Sequence, residues 1–370
     1  MVKRIVLLTG FFRVFLLYDV AEAFDLDKLR SLVGARGVTA QRPFPRRTPE
    51  YVRFENVPIV ERAEPVKLNT GEQIICTIKY YAFAVVVVEL QVPFECDWDG
   101  LVSQSARWVD ASDIEPLARE AVRRHLVAIG PAVIRPNPDK DWLQEEYVVI
   151  NLTRIGPEGS EQLPASELLS EHGQEIAEVL RGEAAPLPPK VADEILQASL
   201  SYGACDLVVV GPSATFVYDG SEDAVATNQV LEYAKTQLLE FRYYDGLMTR
   251  LLADVYRTLD EKRNPVTSRW SLPRDARRVN TIRLDVMELT ERIDNAIKFV
   301  SDMYYARLYR LAAARMGVND YRALVDEKLL TVGQLYEFMV DQFNEARSFV
   351  LEIIVTILAL ADVFLWLKSK

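Results

Sequence analysis

Three groups of residues in this 370-residue chain have the types and spacing to do chemistry. Glu95, Asp97 and Asp99 surround Trp98 after a strand-like run and could hold a divalent cation. A helix N-cap with acids in its first turn explains the same spacing more simply, because carboxylates suit the positive end of a helix. Lys262, Arg263, Arg269, Arg274, Arg277, Arg278 and Arg283 meet only Asp275 within 262–283, a local charge of +6. That stretch could contact phosphate, RNA backbone or acidic headgroups, with Arg269, Arg274, Arg277 and Arg278 as the contacting residues. Pro265, Trp270 and Pro273 mark it as the turn between two helices, and its arginines could equally pair with acidic residues elsewhere. Finally, Asp245 sits at a seam position among Phe241, Met248 and Leu252. A carboxylate there needs a partner, which Arg242 or a residue of the next helix could supply. The expected role is a buried polar pair of Arg242 and Asp245 that sets register, ahead of an active site.

Other catalytic signatures are missing from the sequence. No G-x-S-x-G, P-loop, G-x-G-x-x-G or H-E-x-x-H occurs. Two histidines, His125 and His172, leave little room for a His-rich metal site, and Cys76, Cys96 and Cys205 form no metal-type cluster. No catalytic residue, cofactor or metal is therefore expected, and widely spaced cysteines suit a reducing compartment. The net charge of −11 argues against general nucleic-acid binding. It is uneven: residues 241–330 sum to +4 and 331–370 to −2, so residues 1–240 carry −13.

The elements that must position these groups follow from periodicity. Residues 14–20, 73–80, 83–92 and 146–151 are rich in β-branched and aromatic residues and read as strands. Ala84–Val88 is apolar on both faces, as a central strand would be. Residues 25–33 and 115–129 read as helices. Lys3-Arg4 before an apolar run imitates a signal peptide, but Gly10, Arg13 and Asp19 interrupt it, so a buried strand is expected there. Residues 154–190 are linker-like, with Gly and Pro clusters flanking a short acidic helical piece, and strands at 206–210 and 214–218 follow. The expected fold class is α+β: a mixed α/β head over 1–221, with 154–190 as an excursion.

From 222 to 348 the pattern is helical. Leu231, Ala234, Leu238, Phe241, Asp245, Met248, Leu252, Val255 and Leu259 alternate in steps of three and four, as do Val279, Ile282, Val286, Leu289 and Ile293. Sustained heptads predict long, coiled-coil-like helices and a homo-oligomer. A last helix is expected from near Asn319 to Leu367.

Its final stretch, 349–367, has about the length needed to cross a bilayer. Phe349 and Trp366 lie near its ends, while Glu352 and Asp362 interrupt the apolar run. A carboxylate at mid-bilayer costs roughly 2.5–3.5 kcal/mol, but these two lie toward the ends, where the penalty falls. Phe349, Glu352, Asp362 and Trp366 thus outline an expected membrane anchor.

Several segments also resemble the required-for-meiotic-nuclear-division family. Arg13–Leu29 is similar to its opening strand and helix, Phe83–Glu89 to its central strand, and Leu231–Asp245 to the start of its long helices. Leu284–Ile293 and Leu351–Val355 continue the resemblance. That resemblance implies an α/β head, long helices and a membrane-proximal C-terminus. Eukaryotic members are organelle-associated and linked to mitochondrial translation; no catalytic residue set exists to carry over. The absence of a presequence and the Ala/Arg/Glu/Val-rich composition suit a bacterial member at the cytoplasmic side of the inner membrane. The leading expectation is a non-enzymatic, self-associating scaffold or tether, with a protein partner. A small-ligand binder or enzyme in the acidic head is the alternative, and an RNA- or ribosome-associated factor using 262–283 is a further one.

Overall fold

The computed structural model describes residues 7–34, 58–67, 71, 73–109, 113–157, 162–183, 185–220, 224–260, a few positions between 281 and 291, and 303–368. The protein is α+β. Its strands are β1 (Leu8–Asp19), β2 (Ala21–Phe24), β3 (Ile59–Arg62), β4 (Val66–Lys67), β5 (Gln73–Tyr80), β6 (Val85–Cys96), β7 (Val133–Pro136), β8 (Leu143–Ile155), β9 (Ser199–Leu200), β10 (Leu207–Val210) and β11 (Ala214–Tyr218). The helices are α1 (Leu26–Gly34), α2 (Trp98–Val109), α3 (Glu115–Ala128), α4 (Ala165–Arg181), α5 (Pro189–Leu196), α6 (Ala224–Asp260), then α7 (Met303–Met316) and α8 (Val318–Lys368).

The described strands build a nine-stranded sheet in the order β3-β5-β6-β1-β8-β11-β10-β9, with β4 beside β5; β2 and β7 form a separate pair. Neighbours are antiparallel except β11 and β8, so the sheet is mixed. The middle stretches of the long central strands β1, β6 and β8 are mostly apolar and buried, as expected where both faces are covered. One face carries Phe12, Val14, Leu16, Ile78, Val88, Leu90, Ile150 and Phe216 into a single apolar core with Leu29, Leu101, Val122 and Ile176 of α1–α4. Gly10 lets β1 approach β8 at a register shift, because a Cβ there would lie 2.0 Å from the Asn151 carbonyl oxygen.

The stretch 154–190, expected to be linker-like, instead supplies α4 to this core through Leu168, Ile176, Val179 and Leu180. Its Gly and Pro residues mark the boundaries of the helix, not a departure from the domain. Gly182, at φ +65°, ends α4 in the left-handed conformation that a helix C-terminus favours.

The chain divides into two compact units, Met1–Tyr243 with Arg292–Tyr321, and Tyr244–Glu291 with Arg322–Lys370. The first holds the sheet, α1–α5, the first part of α6 and α7. In the second, Met248, Ile282 and Val286 of the three-and-four series are buried, Leu252 is half-buried, and Leu251, Val325 and Val332 outside the series are buried too. Both α6 and α8 are single helices shared by the two units.

Candidate functional site

The second face of the sheet is different in kind. Side chains alternate across a strand, so Phe12, Val14 and Leu16 on one side of β1 leave Arg13, Phe15, Leu17 and Asp19 on the other. The same alternation puts Lys79 of β5, Glu89 of β6 and Glu145, Tyr147 and Asn151 of β8 on this face. Here α6 packs. From Ala226 to Phe241 almost all of its side chains are buried, whichever way they point. A helix enclosed all round is normally apolar. This one buries Thr227, Asn228, Glu232, Lys235, Thr236, Gln237 and Glu240.

The buried charges pair in order across the sheet. Arg13 bonds Glu89, whose other oxygen lies 2.8 Å from Lys79 Nζ. Lys79 also bonds Glu232 of α6, and Tyr81 Oη donates to the second oxygen of Glu232 at 2.8 Å. One turn along α6, Lys235 Nζ lies 2.6 Å from Glu145 of β8 and 5.5 Å from the Tyr147 ring centre. Arg242 bonds the other oxygen of Glu145. Toward the start of α6, Asn228 Nδ2 donates to Asn151 Oδ1 at 3.0 Å. Tyr147 Oη, 2.6 Å from Thr215 Oγ1, donates to the Gly211 carbonyl at 3.0 Å.

The electrostatics of this layer follow from burial and pairing together. Burial opposes the charge on Glu89, but Lys79 and Arg13 outweigh it and hold the carboxyl down to about 2. Lys79 is likewise desolvated, yet the two carboxylates beside it raise its pKa. Glu232 goes the other way: burial and the neighbouring Glu89 raise it despite Lys79. Burial and Glu232 push Tyr81 well above the ordinary phenol value. Burial pulls Lys235 down to about 8, with Glu146 opposing. Three carboxylates, Glu89, Glu145 and Glu232, face four cations, Arg13, Lys79, Lys235 and Arg242. Chemically this is an ionic layer that fixes α6 on the sheet.

The residues expected from sequence fall elsewhere. Asp245 pairs with Lys328 of α8, at 2.5 Å, and Lys328 also donates to Thr249 Oγ1 at 2.7 Å. Arg242 goes to Glu145. The expected Arg242–Asp245 pair is thus replaced by two separate pairs. Side chains on a helix lean toward its N-terminus, which carries the long Arg242 back toward β8 and away from Asp245. Asp97 is the N-terminal cap of α2, accepting from Gly100 N at 2.8 Å, while Glu95 is exposed on β6. Among the described residues no group of three or more His, Cys, Asp or Glu could hold a metal ion. Arg269, Arg274, Arg277 and Arg278 lie outside the described residues, as do the side chains of Phe349, Asp362 and Trp366. Glu352 is exposed on α8. Among the described residues no helix is long and apolar enough to cross a membrane.

Sequence reasoning passed over Arg13, Lys79, Glu89, Glu145, Glu232 and Lys235. A signal was there for the strand members: Arg13 and Glu89 each stand between apolar residues in strands apolar on both faces. A charge in such a strand must be paired.

A family model described as uncharacterized protein MJ0711, N-terminal domain, matches residues 9–224. Uncharacterized protein MJ0711 from Methanocaldococcus jannaschii is 21% identical over 210 residues, covering 57% of this chain and 64% of that protein. The match thus spans less than two thirds of the relative's length. No solved structure matches. These findings overturn the resemblance to the required-for-meiotic-nuclear-division family, and an archaeal relative gives no support to a bacterial origin. The segments behind that resemblance are short apolar strands and heptad helices, a pattern that any covered sheet and helix pair repeats. The matched span takes in β1 through β11 and more than half of the chain, and the protein belongs to the MJ0711 N-terminal domain family.

Proposed function

We propose that the protein is a scaffold or tether. Its α+β head is locked onto α6 by the charged layer, and its long helices carry self-association and attachment to a membrane surface. The observation behind this reading is α8, one helix of 51 residues whose Val355, Ile357 and Leu358 are 63%, 59% and 61% exposed. Positions 355, 357 and 358 point in different directions around a helix, so the apolar surface there is wider than a single stripe. An exposed apolar surface of that kind marks an interaction site. The attaching element is the stretch that includes Phe349, Glu352, Asp362 and Trp366.

Fractionation of the whole protein and of a chain ending at Ser348, followed by carbonate extraction and sedimentation, tests this. The whole protein is expected to sediment with membranes and to be released from them by carbonate, or to sediment as an oligomer, and the shortened chain to do neither. A whole protein that is soluble and monomeric at micromolar concentration overturns the reading.

A further inference from the structure

Away from the charged layer, three titratable side chains from separate elements meet at one point. Glu61 lies on the edge strand β3, Tyr80 ends β5, and His125 is in the last turn of α3. Tyr80 Oη donates to Glu61 Oε2 at 2.9 Å. His125 Nδ1 lies 3.1 Å from the same carboxylate oxygen and 3.3 Å from Tyr80 Oη. Glu61 and Tyr80 are buried, whereas the His125 side chain keeps 19% of its surface open.

The geometry sets the tautomer. Nδ1 faces two oxygens, one of them a carboxylate, so its favourable state is protonated and donating. In the neutral ring the lone pair then sits on Nε2. That atom makes no hydrogen bond among the described residues, and it is not sealed in the interior as His172 Nδ1 is. A carboxylate behind one nitrogen of an imidazole fixes the tautomer and the orientation of the ring, and so aims the other nitrogen's lone pair. The chain's second histidine is backed less closely: the Glu175 carboxylate lies 3.8 Å from His172 Nδ1, beyond hydrogen-bond reach, that nitrogen is buried without a hydrogen bond, and the ring stacks on Trp98 at 4.5 Å.

We propose that Glu61, Tyr80 and His125 form a general-base site, at which His125 Nε2 takes a proton from the hydroxyl of a small protic ligand, water or an alcohol. The ligand O–H bond breaks, an N–H bond forms at Nε2, and the oxygen keeps the electron pair. The positive charge gained by the ring is matched by Glu61. Glu61 and Tyr80 are positioning residues; His125 alone touches the ligand. The assignment lies in the head and goes beyond the scaffold role of the helices.

With only two histidines in the chain, acylation by diethyl pyrocarbonate, read at each histidine by mass spectrometry, tests the site against an internal control. His125 is expected to react ~10-fold faster than His172 in the folded protein, taking the lower end of what the partner behind a ligating histidine is worth in affinity or activity. Glu61→Gln should bring the two rates together, and Glu61→Asp should restore part of the difference. A residue that merely staples α3 to β3 would change the melting temperature and leave the ratio of rates alone. Equal rates in the parent, or an unchanged ratio in a folded Glu61→Gln protein, overturn the proposal. Tyr80→Phe keeps the ring and deletes only the hydroxyl. If Glu61→Gln does not fold, an unchanged ratio in Tyr80→Phe overturns the proposal and a reduced one supports it.

Discussion

The two faces of the sheet are held by different means. On one, Phe12, Leu16, Val88, Leu90 and Ile150 meet α1–α4 through apolar contacts, and the buried carboxylate of Glu61, at the β3 edge, is paired with His125 of α3. On the other, Arg13, Lys79, Glu89 and Glu145 meet Glu232, Lys235 and Arg242 of α6. An apolar face is satisfied by volume and tolerates small shifts of the helices on it. An ionic face is satisfied only when each charge has its partner, so a one-residue shift of α6 would leave several charges bare. The apolar face makes the head stable. The ionic face makes the placement of α6 specific, and α6 is the helix that continues into the second unit.

Lys79→Met should give the largest break. It keeps the length of the side chain and strips the cation shared by Glu89 and Glu232. Removing one partner of a buried pair costs about 3–5 kcal/mol, because the remaining charge stays desolvated. Urea unfolding should show that loss. Adding Glu232→Leu to the same chain should recover part of it, since an apolar pair of similar volume is often no worse than the ion pair it replaces. A double variant as unstable as the sum of the singles would mean that the layer acts by packing alone.

The matching change on the apolar face is Ile150→Ala, fully buried between β1 and β11. It should cost about 2–5 kcal/mol through lost burial and a cavity. The sharpening contrast is additivity. A second, distant truncation on this face should add to the first, where the second change on the ionic face subtracts. Gly10→Ala should cost less, about 1–3 kcal/mol by overpacking, as its Cβ would press on the Asn151 carbonyl and the Phe94 ring. Thermal melts would rank the two. A Gly10→Ala protein as stable as the parent would mean that β1 can draw away from β8.

The same contrast explains what could be read from the chain. Apolar periodicity located β5 and β11 to the residue, and gave α8 nearly end to end. It understated β1, β6 and β8, whose ends carry mixed residues such as Thr9, Glu95 and Glu145, and it gave α4 as a short helical piece of a linker-like stretch without its place in the core. Ion pairs are harder because they depend on which elements meet. Lys79 and Glu232 are 153 residues apart, and Asp245 finds Lys328 at a separation of 83. Alternation shows that Arg13 and Glu89 need partners; only the strand order shows that they are each other's.

Asp19 gives the most diagnostic test of the ionic face. It lies on the same side of β1 as Arg13, is buried, and burial alone pushes its carboxyl from 3.8 up to about 7. The folded protein therefore holds this proton more tightly than the unfolded chain. The stability that Asp19 contributes is fully present below about pH 4, falls as pH rises toward 7, and is level above that. The slope it adds is at most about 1.4 kcal/mol per pH unit. Glu89 has the opposite sign. Lowered from 4.5 to about 2, it contributes stability above about pH 4.5 that is lost as pH falls through 2. Asp19→Asn should thus flatten unfolding free energy between pH 4 and 7 and leave the loss below pH 4 in place. A variant that keeps the parent's slope in that window would mean that Asp19 is ionised in the fold, and that the ionic face extends to the end of β1.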